Sequence, residues 1–308
     1  MARKEVLELT DRFTRPFRVT KGKSFRLADV DPGDTLGLQM DKGEAAQLLD
    51  RNSRWLAEEQ DVLYAQDRWS VLLVFQAMDA AGKDGTIKHV MTGLNPRGCE
   101  VYSFKAPNSE ELDHDFLWRT SKVLPRRGHI GIFNRSYYEE TLVVRVHPEI
   151  LGGQQLPTPL VTPDIWHERF EDIVNYEKYL SRQGVVIRKF FLHLSKDEQR
   201  RRFLERLEAP DKHWKFSLGD LTEREYFAQY QAAYEDMIRH TATPHAPWYV
   251  VPADHKWFTR LVVASAVIEA IESVQPSFPT VDAGMLRKLK AAETRLRREA
   301  GQPSRRSR

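Results

Sequence analysis

The stretch Val71-Leu72-Leu73-Val74-Phe75 is apolar at every position. A strand with one wet face alternates apolar and polar residues; an unbroken run suits a strand buried on both faces. Soon after it, Gly82 and Gly85 interrupt the chain, and 86–94 reads as a helix that ends near Asn95-Pro96. The rhythm then repeats. A strand is predicted over 100–104, and a helix over 108–122 with Leu112, Phe116 and Leu117 as its buried stripe. Another strand follows over 129–133, then a polar motif and the segment 137–146. Gly152, Gly153, Pro157, Pro159 and Pro163 make 151–163 a loop or insertion. Beyond it come a helix over 170–182, a long strand over 185–194 and a charged helix over 196–208. A last core strand falls at 248–251 and a strongly apolar helix at 257–273.

Upstream, Ala45, Leu48, Leu49, Leu56, Val62 and Leu63 recur at helical spacing across 42–65. Residues 1–40 are mixed, with a turn at Asp31-Pro32-Gly33-Asp34. Downstream, 281–299 reads as a surface helix and 301–308 as a loose basic tail. Strands alternating with helices predict an α/β fold, its sheet largely parallel and covered on both faces.

Lys and Arg number 47 against 44 Asp and Glu, a formal net charge of +3, with 41% apolar residues. That balance excludes a disordered or fibrous chain. The apolar runs fall far short of the roughly 20 residues that a membrane span needs. The start, Met1-Ala2-Arg3-Lys4-Glu5, has no signal-peptide character. A single cysteine, Cys99, excludes an internal disulfide and any site of several thiolates. The cytoplasm is the expected compartment.

Chemistry concentrates after the first core strand, in Met78-Asp79-Ala80-Ala81-Gly82-Lys83-Asp84-Gly85-Thr86. A glycine turn between a buried strand and a helix can aim backbone N–H groups at anionic oxygens, and the helix N-terminus favours negative charge. Lys83 would reach over the loop to a phosphate. The match to the common phosphate loop is partial: Ala77 stands where the first glycine falls, and Asp84 replaces the hydroxyl residue. Asp79 and Asp84 would repel a bare polyanion, so a divalent cation or an ordered lysine belongs between them and the phosphates. Asp79, at the strand end, is the metal candidate; Asp84 has helix capping as its alternative.

The strand over 129–133 leads into Asn134-Arg135-Ser136-Tyr137-Tyr138-Glu139. Sites of open parallel sheets lie beyond the carboxyl ends of strands. Arg135 there could clamp a transferring phosphoryl group, or pair with Glu139 one helical turn on. Basic residues recur near strand ends, and predict a groove for a long anion rather than for nucleic acid, whose usual binding motifs are absent. The basic and aromatic segment at 208–226 reads as a lid over a phosphate site, with an ordinary surface loop as the alternative. Gly219 is its expected bend, and Thr222 with Glu225 its expected capping box. After the last strand, Asp254 is expected to cap a helix and Lys256 to face the nucleotide; His255 carries no expected proton transfer.

These residues resemble the polyphosphate kinase 2 family of P-loop kinases. The likeness rests on Met78–Gly85, Asn95-Pro96-Arg97-Gly98, Leu117-Trp118-Arg119, Ile132-Phe133-Asn134-Arg135-Ser136, Lys189-Phe190-Phe191-Leu192, Glu198-Gln199, Arg202-Phe203 and Lys212-His213-Trp214-Lys215. It implies a nucleoside-kinase-like three-layer sandwich with a parallel sheet and a lid. It divides the chain into an N-terminal extension (1–40), a catalytic domain (41–275) and a C-terminal helix with basic tail (276–308). The implied reaction moves the terminal phosphoryl group of inorganic polyphosphate to ADP and AMP, directly and with magnesium, or manganese in its place. By the same resemblance, Asp79 is the metal ligand, and Lys83 and Arg135 join it as catalytic residues. Ala81, Gly82, Asp84, Gly85, Thr86, Asn134 and Glu139 bind phosphate or nucleotide. Lys88, Arg119, Arg188, Lys189, Arg202, Lys212 and Lys215 bind polyphosphate. Many relatives carry an aspartate where this chain has Asn134, which supplies no charge and throws weight on Asp79. Glu139 resembles the third class, which accepts nucleoside mono- and diphosphates. Adenine nucleotides are the expected partners, with guanine nucleotides beside them; a homodimer or homotetramer is implied, and neither nucleic acid nor membrane. The rivals are an ATP-dependent kinase and a polyanion-binding module without activity.

Overall fold

A computed structural model describes residues 3–39 and 42–300. Its single sheet holds β1 (Arg18–Val19), β2 (Ser70–Ala77), β3 (Cys99–Ser103), β4 (Ile130–Asn134), β5 (Val185–His193) and β6 (Trp248–Pro252). The order is β1-β6-β5-β2-β4-β3. The five expected core strands are all parallel. The short β1, which the sequence did not announce, pairs antiparallel with the edge of β6.

Helices cover both faces. The helices of the described residues are α1 (Arg3–Thr14), α2 (Lys42–Gln66), α3 (Lys83–Met91), the one-turn α4 (Ser109–Leu112), α5 (Trp118–Ser121) and α6 (Val143–Val146), then α7 (Ile165–Arg182), α8 (Lys196–Glu208), α9 (Leu218–Glu225), α10 (Phe227–Thr241), α11 (Lys256–Glu272) and the exposed α12 (Ala283–Ala300). Val71, Leu73 and Phe75 pack on the layer of α1, α2, α3 and α11. Leu72 and Val74 pack on the layer of α7 and α10. Two dry faces are the reason that the β2 sequence shows no alternation. The fold is therefore a three-layer α/β sandwich. Among the described residues, no helix is long and apolar enough to cross a membrane.

Three expectations change. The helix expected over 108–122 is two single turns. Asn108 and Glu111 form a capping box on the first, and the Asp115 carboxylate accepts the Leu117 N–H at 2.9 Å, starting a new turn. The N-terminal region is built into the core: Val6, Phe13 and Phe17 are buried with α11 residues, and Phe17 meets Phe258 edge-on. The basic tail at 301–308 lies outside the described residues.

Lys189 is the third correction. It pairs with Val74 in register, mid-sheet rather than at the carboxyl end. Its ammonium donates to Glu177 at 2.6 Å, Tyr138 Oη at 2.9 Å and the Thr241 carbonyl at 2.8 Å. Both ions are fully buried. Burial pushes the Lys189 pKa down, and Glu177 opposes it. Lys189 is thus a core ion, not a polyphosphate ligand. Its neighbour Arg188 points into the opposite layer, where it donates to the Ile187 carbonyl; it does not line the site either.

The topology fixes where a ligand can sit. From β2 the chain leaves towards β3, and from the adjacent β5 it leaves towards β6. Neighbouring strands that depart in opposite directions open a crevice at their carboxyl ends. β4, on the other side of β2, ends there too, with Asn134 opposite Phe75.

Candidate active site

The loop after β2 is held from behind. Ala80 (φ +65°) and Gly82 (φ +92°) are left-handed, a conformation that glycine adopts without cost and other residues rarely. Helix α8 fixes it. Gln199 donates to the Asp79 carbonyl at 3.1 Å, and Arg202 donates to those of Ala80 and Ala81 at 3.0 Å each. With these carbonyls turned to α8, the unpaired N–H groups of the first turn of α3 face the crevice. Gly82–Thr86 line a cavity of about 780 Å³ there. This is an anion cradle at a helix N-terminus.

Arg202 therefore acts differently from expectation. Besides those two carbonyls it donates to those of Ala253 and Asp254, and its Nε to Glu198. All five guanidinium donors are committed. It shapes the loop and has no donor left for polyphosphate.

Eight lysines and arginines line the cavity against four carboxylates. Lys83 stands in the cradle, Lys212 on the lid side and Lys256, expected to face the nucleotide, at the start of α11. Lys105 and Arg260 complete the wall and escaped the sequence reading. Two signals could have found them: Lys105 follows the carboxyl end of β3, and Arg260 lies one helical turn after Lys256. Arg119 is outside the cavity; it braces the wall by donating to the Lys105 carbonyl at 2.8 Å and lies 3.6 Å from Glu111. Lys88 is exposed further along α3 and does not line the cavity. The side chain of Lys215 lies outside the described residues.

A smaller cavity, about 260 Å³, adjoins the first and shares Met78, Asp79, Arg135 and Asp220 with it. Tyr230, Tyr234, Leu142 and Val143 give it apolar walls, and Glu139, Gln199, Glu223 and Arg224 polar ones. Arg135 stands between the two. Its backbone is left-handed (φ +64°) and its N–H donates to the Phe75 carbonyl of β2. Its side chain lies 3.7 Å from Asp79 and 3.7 Å from Glu139, so the catalytic and ion-pair readings of Arg135 describe one geometry. Glu139 first, then Asp79, raise its pKa.

Burial pushes the Lys83 ammonium down to about 8, helped by Arg135 and opposed by Glu139, Asp79 and Asp84. Burial, then the nearby Asp79, raises the Asp220 carboxyl.

Asp84 does not cap α3, whose N-cap is Gly82. Its carboxylate accepts from the Asn134 amide at 2.8 Å. Asn134 thus enters the site as a hydrogen-bond donor, a role that aspartate could not fill at this spot without a proton or a cation between the two. Asp254 likewise does not cap α11; it accepts the Ser195 N–H. The lid segment contributes Lys212, Trp214 and Asp220 to the larger cavity. Its helix begins at Leu218 with Ser217 as N-cap. Gly219 is consequently a first-turn residue, not a bend, and Thr222 lies inside the helix, not at a cap.

Among the described residues, no group of three or more His, Cys, Asp or Glu could hold a metal alone. Magnesium is commonly bound by one or two carboxylates together with substrate phosphates and water. Asp79 and Asp84, hard oxygen donors lining the same cation-rich cavity, fit that pattern.

Gln76 is a buried residue that the sequence did not single out. Its amide donates to Glu139 at 2.7 Å and so holds the carboxylate that steadies Arg135. Gln76→Leu should lower kcat by up to about 10²-fold, the scale of a displaced active-site group, and cost about 1–3 kcal/mol of stability, because the Glu139 carboxylate loses a buried donor. Steady-state kinetics beside a melting curve checks it; unchanged kcat would count against the relay.

The model of the family described as polyphosphate kinase 2 matches residues 39–279. The chain belongs to this family. Among proteins to which this member is similar is the ADP-polyphosphate phosphotransferase of Rhodopseudomonas palustris, 49% identical over 271 residues, covering 86% of this chain and 92% of the relative. The AMP/ADP-polyphosphate phosphotransferase of Meiothermus ruber is 43% identical, with 86% and 95% covered. The solved polyphosphate kinase 2 of Arthrobacter aurescens superposes with a TM-score of 0.81 at 39% identity, over 90% of this chain and 95% of that one. The family and the fold expected from the phosphate-loop motifs are both borne out.

Proposed function

We propose that this member of the family transfers the terminal phosphoryl group of inorganic polyphosphate to a nucleotide, with ADP and AMP as acceptors. The observation that carries the reading is the meeting of two cavities at Asp79 and Arg135. The larger, with its excess of cations and its helix N-terminus, suits a chain of phosphates. The smaller, with tyrosines and aliphatic walls, suits the acceptor nucleoside. An acceptor phosphate is already ionised near neutral pH, so no dedicated base is needed. The acceptor oxygen attacks the terminal phosphorus, and the bond to the bridging oxygen of polyphosphate breaks in line. Lys83 and Arg135 stabilise charge on the transferring oxygens. Asp79, with Asp84, would hold magnesium, or manganese in its place, and the ion would neutralise charge on the phosphate oxygens.

Glu139 supports acceptance of both AMP and ADP, as does the name of the Meiothermus ruber relative; the name of the Rhodopseudomonas palustris relative supports ADP. Guanine nucleotides belong to the same proposal, as does a homodimer or homotetramer in the cytoplasm. Phosphorus NMR of polyphosphate mixed separately with AMP and ADP, without ATP, tests the reaction. New β- and γ-phosphoryl signals are expected. Transfer only when ATP replaces polyphosphate would favour an ATP-dependent kinase, and binding without transfer a polyanion-binding module.

A further inference from the structure

The lid helix α9 has its polarity inside out. Leu218 is 78% and Leu221 47% exposed, and none of its residues is buried. Asp220, Glu223 and Arg224, which share one face at helical spacing, turn towards the site instead. Apolar burial therefore does not hold this helix down. Polar contacts do: Glu223 accepts from Tyr230 at 2.7 Å and lies 3.1 Å from His147 Nε2, and Asp220 lies 3.7 Å from Arg206. A helix held this way belongs to the low-stability end of a fold and can open locally.

One of its contacts leads to the centre of the site. Arg224 Nη1 donates to the Lys196 carbonyl at 2.9 Å and to Gln199 Oε1 at 2.6 Å. Gln199 is 1% exposed, and its Nε2 donates to the Asp79 carbonyl. The partners fix the orientation of this amide. Reversed, it would set an oxygen against a carbonyl and an NH₂ against a guanidinium.

We infer that Gln199 and Arg224 form a latch through which the seating of the lid helix sets the position of Asp79. Gln199 is a positioning residue: it touches the backbone of the metal-ligand candidate, not the reacting atoms. With α9 seated, Arg224 holds the Gln199 oxygen, and the amide is aimed at the Asp79 carbonyl. With α9 lifted, Gln199 is released and Asp79 loses its rear support. The cradle is then complete only when the lid is down, which limits transfer to water.

The inference rests on the phosphotransfer reading, and two arms separate their fates. The first needs no activity. Hydrogen exchange is followed over 76–84 and over 218–225 in the full chain with tripolyphosphate, for wild type, Gln199→Met, Arg224→Gln and the double variant. Each single change should speed exchange in both segments, and the double should add little. Arg224→Gln loosening 218–225 while 76–84 stays as protected as in wild type would overturn the latch. The second arm is the kinetic cycle with ADP and polyphosphate. Each single change should lower kcat about tenfold, with any rise in the KM for ADP the smaller effect although both side chains also line the acceptor cavity, and the double about tenfold rather than a hundredfold, because coupled sites are not additive. A hundredfold loss, or a raised KM at unchanged kcat, would mean separate substrate contacts and overturn it. If wild type transfers no phosphoryl group, the functional reading falls, and the exchange arm still decides the latch.

Discussion

Asp79→Ala should cut turnover of ADP and polyphosphate by about 10³-fold or more, in line with the loss of a group that organises transition-state charge. Binding of tripolyphosphate in magnesium-free buffer, where no cation links Asp79 to the anion, should survive. The larger cavity already has twice as many cations as carboxylates, so removing a carboxylate leaves a stronger field for a polyanion and should tighten its affinity slightly. The fold should hardly notice. Asp79 is 39% exposed at its side chain and its ion-pair distance to Arg135 is long; a substitution of that kind typically shifts stability by within about 0.5 kcal/mol. Arg135 keeps Glu139 as its other partner. The pattern to look for is therefore lost turnover, retained binding and an unchanged melting curve. Turnover within a few fold of wild type would remove Asp79 from the chemistry. Loss of that magnesium-free binding would mean that the substitution damages the anion site itself, and would overturn the assignment of Asp79 to the metal.

The sheet was legible because parallel strands with two dry faces write continuous apolar runs, and helices between them write a different period. Residues 1–40 hid their role because α1 and the turn after it join the core through a few apolar positions, Val6, Phe13 and Phe17, set among charges. The phosphate loop could be read locally, since Asp79, Lys83 and Gly82 sit together in the chain, and so could Arg135, which follows a strand end. The basic groove could not. A lysine looks the same in sequence whether it lines a cavity, as Lys105 does, or neutralises a buried glutamate, as Lys189 does. Only register decides: Lys189 is level with Val74, well before the end of β2. Arg202 shows the same limit. It lines the cavity, yet its five donors are spent on carbonyls and Glu198, which no spacing rule reveals.

Lys83→Met should inactivate the enzyme and make it more stable. Burial holds the Lys83 ammonium near a pKa of about 8, below the ordinary lysine value of 10.5. The unfolded chain keeps its proton up to the ordinary lysine value. Between about 8 and 10.5 the unfolded state thus binds more protons, and stability from this group rises with pH. Below about 8 both states are charged, and the full penalty of holding a cation in this pocket is present. Methionine has a similar length and no charge, so at neutral pH the variant should melt higher than wild type, and its melting temperature should lack the added rise across that window. Activity moves the other way. The charged ammonium is the form that meets phosphate oxygens, so kcat/KM of wild type should fall as pH rises through about 8. In the variant, turnover should drop by about 10²- to 10³-fold, the usual cost of one donor aimed at developing charge. Opposite pH trends of stability and activity in one window are what a single buried cation, kept for its ligand, must produce. A variant that melts lower than wild type, or a wild-type profile flat between pH 7 and 10, would take Lys83 out of that role.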